Sequence, residues 1–224
     1  MPLSTNVASH EALVRFSRRL SHDLNNFSTI VSTYSELLLA DLDPALPAHA
    51  DIREINTASE GMVRYLARVT RFARAGAMKR VRVAVEAGVT EAVQAFRAAH
   101  GERVVEQSGS SAATIMADPV WWRDVMAELL ENAHEAAPVG TPIRVAIGRT
   151  DGGAVSVTVR DQGSGFDPAI EPTACDPLVT TKEGIRGAGI GLTLVAAFLE
   201  ACGGQLRVSR EGDVTAVTVE LPAA

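Results

Sequence analysis

The sequence is poor in aromatic residues, in cysteine and in positive charge. Phe, Trp and Tyr make up 4% of its 224 residues, so its core must be built from Leu, Val, Ile and Ala. The only two cysteines, Cys175 and Cys202, exclude a disulfide scaffold and a cysteine-rich zinc site. A formal net charge of −6 argues against a nucleic-acid-binding protein. Because 46% of the residues are hydrophobic, disorder is excluded as well.

Long apolar runs are also missing. No stretch approaches the roughly 18 consecutive apolar residues of a membrane-spanning helix. The N-terminus lacks the basic and then apolar pattern of a secretory signal. We therefore expect a cytoplasmic protein without a membrane span.

The first third of the sequence has the pattern of two long helices. Seam positions recur at heptad-like spacing before a turn at 41–47 that is rich in Pro and Asp, and alternate three and four residues apart after it. One antiparallel hairpin cannot cover both of its own apolar stripes, so we predict that a second copy completes a four-helix bundle in a homodimer. The alternative is that the hairpin packs on the rest of the chain. The seam positions are Leu13, Leu20, Leu24, Phe27, Val31, Tyr34 and Leu38, then Ile52, Ile55, Ser59, Met62, Leu66, Val69 and Ala73.

The remaining residues mix strand and helix patterns, which predicts a two-layer α/β sandwich. Asp118-Pro119 predicts a helix start, because Asp caps free amides and Pro fits the first turn. The fold class is therefore α+β, with a hairpin domain at 1–77 and a sandwich domain at 78–224. The predicted strands are 81–85, 104–107, 114–116, 143–147, 155–159, 205–209 and 215–221, and the predicted helices are 89–100, 118–137 and 191–202.

A histidine in the first helix has the surroundings of a nucleophile. His22 falls at the heptad position farthest from the apolar seam, so its ring is predicted to project into solvent. Asp23 adjoins it, and a neighbouring carboxylate favours and orients an imidazolium. Asn26 follows one turn later on the same face. The three residues predict a nucleophilic histidine with an acid and an amide beside it. The alternative is an ordinary solvated histidine.

A second candidate site lies on the helix that follows Asp118. Glu128 and Asn132 are four residues apart and share one face. The amide oxygen of Asn is a hard ligand that suits Mg²⁺, an ion that is often shared with phosphates. A carboxylate one turn earlier can orient water or accept a proton. The alternative is a solvated pair, since this spacing alone is common.

A third candidate directly follows a predicted strand. In the segment Asp161-Gln-Gly163-Ser-Gly165, the glycines permit a close backbone approach to a ligand. An aspartate in a pocket at a strand end can accept a hydrogen bond from an exocyclic amine such as that of adenine. The alternative is a simple β-turn.

A fourth candidate opens the helix predicted at 191–202. Alternating glycines at Gly187, Gly189 and Gly191 expose backbone amides, and a helix N-terminus adds positive potential. Lys182 and Arg186 lie just upstream and could reach the same anion. The segment predicts a phosphate-binding loop, although it matches neither GxGxxG nor a P-loop.

In their order along the chain, these four segments resemble the H box, the N box and the two glycine boxes of two-component sensor histidine kinases. The resemblance covers nearly the whole sequence. It implies a dimerisation and histidine-phosphotransfer domain, followed by an ATP-binding domain of the GHKL (Bergerat) fold. The matching segments are 22–26, 128–133, 161–165 and 187–192, with 176–182 similar to the EPFFTTK segment and 203–208 similar to the GG-x-φ-x-φ ending.

The resemblance also implies roles for the polar residues of the H-box and N-box segments. His22 would be the phosphoacceptor, and Asp23 would act as its general base or orienter. Asn26 would position the water that dephosphorylates a partner's aspartyl phosphate. Asn132 would hold Mg²⁺, and Glu128 takes the position of the acid or amide one turn before it.

For the glycine-rich segments, the resemblance implies an ATP site. Asp161 would recognise the adenine amine, and Gly163 and Gly165 would let adenine approach. The later glycines would supply a lid hinge and phosphate amides; they are Gly187, Gly189 and Gly191.

Three features depart from the family pattern. We expect no sensor domain, because only a short segment precedes the first predicted helix. Aromatic positions of the family are held by Cys175, Leu178 and Val179, and the lid has only four residues between Lys182 and Gly187.

Three functions therefore stay open. The favoured one is an ATP-dependent protein-histidine kinase that passes its phosphoryl group to the receiver domain of a response regulator. The second is a histidine phosphotransferase with a degenerate nucleotide site, which relays phosphoryl groups between receiver domains. The third is a non-enzymatic ATP-binding regulator, against which the exposed histidine argues.

Overall fold

The computed structural model describes residues 5–73, 78–101, 103–110, 112–166, 173–175 and 190–224. They form two compact units, one with residues 5–73 and the other with the rest of the described chain. The domain boundary predicted at 77 falls outside the described residues and stays a prediction. The predicted lid also lies outside them.

The first unit is a pair of antiparallel helices. Helix α1 spans Thr5–Asp41 and helix α2 spans Pro47–Ala73. In the turn, Asp43 Oδ1 accepts a hydrogen bond from the Ala45 amide at 2.9 Å. Pro47 begins α2, where the missing amide hydrogen of proline costs nothing. The two predicted helices and the turn between them are thus present.

The face that α1 packs on α2 is one residue away from the predicted seam. Ser28 and Ser35 on α1 are buried, as is Ser59 on α2, whose hydroxyl donates to the Ser28 carbonyl oxygen at 3.0 Å and accepts from Ser32 Oγ at 3.2 Å. Another buried serine, Ser21, pairs with the hydroxyl of Thr70. Small side chains let the two helices approach closely. The predicted seam of α1 is therefore not the stripe that lies against α2.

The large side chains of that seam point away from the hairpin partner. They are between 41% and 65% exposed in the single chain, although they recur with the same period as the serines. The apolar stripe and the serine stripe of α1 have the same period. The period alone therefore does not say which of the two faces α2. The exposed seam residues are Leu20, Phe27, Val31, Tyr34 and Leu38.

The second unit contains a mixed five-stranded sheet and a two-stranded ribbon. The order of the large sheet is β2-β4-β5-β7-β6; only the β2–β4 pair is parallel. The ribbon pairs β1 with β3 in antiparallel fashion. Helices followed by a mixed sheet confirm the predicted α+β class. The strands are β1 Val81–Ala84, β2 Val105–Ser108, β3 Thr114–Ala117, β4 Ile143–Arg149, β5 Val155–Asp161, β6 Gln205–Glu211 and β7 Val214–Leu221.

In the described part of this unit, three helices accompany the sheet: α3 Val85–Ala99, α4 Pro119–Ala136 and α5 Gly191–Cys202. The start of α4 is as predicted, since Asp118 Oδ1 accepts from the amide of Val120 at 3.0 Å. Helix α3 begins four residues earlier than predicted. The residue before it, Ala84, offers no side-chain cap, so the sequence carries no start signal at this position. In the described residues, no helix is apolar over the length needed to cross a membrane.

The core of this unit lies between the helices and the sheet. Inward-facing residues of β4, β5 and β7 alternate with more exposed ones, as expected for a sheet with one covered face. Trp122 of α4 is fully buried, stacks on Phe198 of α5 and donates its indole hydrogen to the Val85 carbonyl oxygen at 3.1 Å. This contact links α3, α4 and α5.

The Trp122 contact yields a stability prediction. A Cβ at Gly88 would overlap the indole ring, which is buried and cannot turn away. We expect Gly88→Ala to lower the free energy of unfolding by about 1–3 kcal/mol, the usual cost of overpacking a core. The matched control is Gly101→Ala, because nothing lies within 4 Å of a Cβ at that position. Urea unfolding of both variants checks the prediction, and equal midpoints would contradict it.

Candidate functional site

The candidate nucleophile is exposed and paired with its neighbour. The His22 side chain is 68% exposed, and its Nδ1 lies 3.1 Å from Asp23 Oδ1. Arg19 Nε donates to the other oxygen of Asp23 at 2.9 Å. The hydrogen bonds from His22 and Arg19 lower the pKa of Asp23, so this carboxyl stays ionised. An ionised carboxylate at Nδ1 holds the ring proton there and leaves the lone pair on Nε2.

The third residue of the predicted group lies on the same exposed stretch of α1. Asn26 is four residues from His22, one turn along the helix, and its side chain is exposed. The preceding Asn25 differs, since its amide oxygen is buried and has no hydrogen-bond partner among the described residues. The side chain of Asn26 is therefore open to a partner protein at the level of the histidine.

In the second unit, α4 and the start of α5 bring three predicted residues together. A Cβ built on Gly191 would lie 3.0 Å from Glu128 Oε2 and 3.6 Å from Asn132 Nδ2. Glu128 is buried. The Asn132 nitrogen is buried and finds no hydrogen-bond partner in the described part of the chain. Glycine at the first position of α5 thus permits a close approach to a carboxyl group and an amide that is available to a ligand.

A second group of predicted residues lies at the end of β5. The Asp161 side chain is buried, and its Oδ1 accepts the Gly163 amide hydrogen at 2.7 Å. A Cβ at Gly163 would lie 2.7 Å from both Cβ and the carbonyl oxygen of Ala136, in the last turn of α4. Gly165 has a φ of +76°, which favours glycine. The predicted role of Gly163 and Gly165 in admitting a ligand stays a prediction; a Cβ at Gly165 would lie closest to Arg210.

The surroundings of Asp161 shift the pKa of its carboxyl group. Burial raises its pKa, while the Gly163 amide and the positive charge of Arg210 act in the opposite direction. Burying a carboxylate costs desolvation free energy, which other interactions of the fold must offset. Groups with such shifted pKa values occur preferentially at binding and catalytic sites.

Two further residues near Asp161 were not predicted from the sequence. Thr215 of β7 is the cross-strand partner of Asp161, and its buried hydroxyl has no hydrogen-bond partner among the described residues. Arg210 of β6 donates from Nη1 to the carbonyl oxygen of Ser164, between the two glycines. Both are about 50 residues from Asp161 in sequence, and only strand register brings them near.

The described residues bear on only part of the predicted metal and phosphate site. No cluster of three or more His, Cys, Asp or Glu able to hold a metal occurs among the residues that the structure describes. The role of Asn132 as a Mg²⁺ ligand stays a prediction. The predicted residues outside the described part of the chain are Lys182, Arg186, Gly187 and Gly189.

Comparison with known proteins agrees with this architecture. Residues 117–224 match the family model described as histidine kinase-, DNA gyrase B- and HSP90-like ATPase. The C4-dicarboxylate transport sensor protein DctB of Pseudomonas aeruginosa is 26% identical over 204 residues, which cover 88% of this chain and 33% of that protein. The sensor protein FixL of Bradyrhizobium diazoefficiens is 26% identical over 212 residues, covering 89% of this chain and 41% of FixL.

A solved structure shares the fold. Full-length ShkA in complex with AMPPNP has a TM-score of 0.72 at 23% identity, covering 96% of this chain and 46% of that one. The chain spans about a third of DctB and two fifths of FixL. Residues 117–224 thus match the model of the histidine kinase-, DNA gyrase B- and HSP90-like ATPases, and the chain has sensor histidine kinases among its relatives.

Proposed function

We propose that this chain is the catalytic core of an ATP-dependent protein-histidine kinase. It phosphorylates His22 and passes the phosphoryl group to an aspartate on the receiver domain of a response regulator. Residues 1–77 serve as the dimerisation and phosphotransfer domain, and residues 78–224 bind ATP. The observation that carries the proposal is that the Asp161–Gly163 loop and the Glu128–Asn132–Gly191 group are both present, because a protein that merely relays phosphoryl groups needs neither.

The nucleotide base is recognised at Asp161. One carboxylate oxygen is engaged by the Gly163 amide, so the other oxygen is directed to accept a hydrogen bond from the adenine amine. The Thr215 hydroxyl on the facing strand supplies a second polar group. Together they favour a base that offers a donor, as adenine does.

The phosphate end of the nucleotide is placed against α4 and α5. Asn132 would offer its amide oxygen as a hard ligand for Mg²⁺, and Glu128, which approaches the same glycine, would orient or deprotonate water. Bound Mg²⁺ would neutralise the charge of the phosphates during transfer. The predicted phosphate loop from Gly187 to Gly191 and the cations Lys182 and Arg186 complete this proposed site.

The chemical step occurs at Nε2 of His22. The Nε2 lone pair attacks the γ-phosphorus, a P–N bond forms, and the bond to the leaving oxygen of ADP breaks. Asp23 holds the proton on Nδ1 and stabilises the positive charge that develops on the ring. The aspartate of the receiver then attacks the phosphohistidine and restores the free imidazole.

The homodimer is part of the proposal. The exposed apolar stripe of α1 needs a cover, and the same stripe of a second copy supplies one in a four-helix bundle. A molar mass measured by light scattering tests this directly. Twice the chain mass is expected, and a monomer at micromolar concentration would contradict it.

The relay function is the alternative, favoured by the short lid and by Cys175 at an aromatic position of the family. The two functions separate in one comparison with Asp161→Asn. A kinase loses labelling from ATP in this variant. A relay protein takes up phosphoryl groups at His22 from a phosphorylated receiver, whether or not Asp161 is changed, and shows no labelling from ATP in the wild type.

Asn26 gives a prediction that separates two activities. If its exposed amide orients water for the dephosphorylation of a receiver, Asn26→Ala should keep autophosphorylation of His22 and lose receiver dephosphorylation by about 10- to 100-fold, as for a group that positions a reactant. Following both reactions with the same receiver checks this. Equal loss of both activities would reject the role.

A further inference from the structure

We propose that Arg210 is a positioning residue of the nucleotide site, which fixes the loop from Asp161 to Gly165 in the conformation that presents the carboxylate to the base. The inference rests on the proposed function and adds a residue to it. Arg210 lies at the end of β6, next to the β6–β7 turn, and does not belong to any of the four segments found in the sequence.

The guanidinium bridges two backbone segments. Its Nη1 donates to the Ser164 carbonyl oxygen in the loop, and its Nε donates to the Gly212 carbonyl oxygen at 3.2 Å. Gly163 and Gly165 flank Ser164, and glycine gives a backbone more conformational freedom than any other residue. A side chain that holds the carbonyl between them removes part of that freedom.

The space at Gly165 supports this role. A Cβ at Gly165 would overlap Nη1 of Arg210 and would lie 3.1 Å from its Cζ. The guanidinium therefore rests directly on the glycine. We conclude that this second glycine of the loop accommodates the arginine, whereas the first, Gly163, accommodates the end of α4 and the Asp161 carboxylate.

The positive charge of Arg210 supports the same positioning role as its hydrogen bond. Asp161 faces the Gly163 amide in its own loop, the Thr215 hydroxyl on β7 and the positive charge of Arg210. Burial raises the pKa of Asp161, and Arg210 opposes this shift. The arginine thus helps keep the carboxylate in the ionised form that accepts a hydrogen bond.

The test uses the full chain and three variants. Arg210→Gln removes the charge, Arg210→Lys keeps the charge but not the two-armed geometry, and Arg207→Gln is the control. Arg207 lies on the same strand but pairs with Glu220 at 3.1 Å. Amide hydrogen exchange of residues 161–165 is measured without nucleotide, and calorimetry with ATP and Mg²⁺ gives the affinity between pH 5 and 8.

We expect Arg210→Gln to accelerate exchange in the loop and to weaken ATP binding by about fivefold, the effect of one hydrogen bond. As the pH is lowered, the ATP affinity of Arg210→Gln should begin to fall at a higher pH than that of the wild type. Without the positive charge of Arg210, Asp161 protonates more easily. Arg210→Lys should restore the pH profile but not the slow exchange. Arg207→Gln should behave as the wild type.

Each negative outcome is distinct. Unchanged loop exchange in Arg210→Gln would overturn the inference. If exchange accelerates but neither the wild type nor any variant binds ATP, the positioning of the loop stands and the proposed nucleotide function fails. An affinity loss in Arg210→Gln without any change of the pH profile would reject the contribution of the charge.

Discussion

Asn132→Asp is expected to reduce autophosphorylation of His22 by about 100-fold or more, as when a preorganised charge-stabilising group is removed from an active site. Gly191 brings the start of α5 within contact distance of both Glu128 and the Asn132 amide. A carboxylate at position 132 would therefore place a second acid beside Glu128 in a buried setting. Like charges at such a separation disfavour each other and repel the nucleotide phosphates.

The variant is compared with Arg123→Gln, which changes an exposed residue on the same helix. Both are incubated with γ-labelled ATP and Mg²⁺, and their unfolding midpoints are measured beside the wild type. Full activity is expected in the control. Labelling of Asn132→Asp at more than a tenth of the wild-type rate would contradict the role given to Asn132.

Asp161→Asn is expected to weaken ATP binding by about 10- to 150-fold, which corresponds to the loss of a hydrogen bond to a charged group worth about 1.5–3 kcal/mol. The Asn oxygen can replace the carboxylate oxygen that accepts the Gly163 amide hydrogen at 2.7 Å. Its nitrogen then occupies the other position, so a donor faces the donor amine of adenine. Calorimetry with ATP measures the loss.

The same variant should be at least as stable as the wild type at neutral pH. Burial raises the pKa of Asp161 in the folded protein, so the folded state binds the proton more tightly than the unfolded state. The stability of the wild type therefore falls as the pH rises through the range between the unfolded and folded pKa values, and the penalty persists above it. Asparagine never ionises and avoids this cost.

The combination of lost binding and retained stability makes the Asp161 prediction specific. Thermal unfolding at pH 7 should show an unchanged or higher midpoint in Asp161→Asn. A large fall of this midpoint would mean that Asp161 has a structural role. Unchanged ATP affinity would show that the adenine amine is bound elsewhere.

Helix boundaries that carry a local sequence signal were predicted from the sequence. The Asp118-Pro119 pair located the start of α4, and the glycines on either side of the last helix located α5 at Gly191–Cys202. Helix α3 was placed four residues late because Ala84 provides no cap. Where the chain carries a capping residue or a terminating glycine, the sequence alone sets the boundary.

Tertiary pairing could not be predicted in the same way. The period of α1 was recognised, but the stripe that α1 packs on α2 consists of serines and lies one residue from the apolar seam, because both stripes recur with the same period. Thr215 was placed on a strand and Arg210 just beyond one, yet only the register of β7 on β5 and β6 on β7 brings them to Asp161. Register depends on contacts between distant segments.

The most direct test of the account is ATP-dependent labelling at His22. The wild type and His22→Ala are incubated with γ-labelled ATP and Mg²⁺, and the label is challenged with acid and with base. We predict a label on the wild type that acid removes and base leaves, and no label on His22→Ala. Absence of label on the wild type, or equal label on both proteins, would contradict the account.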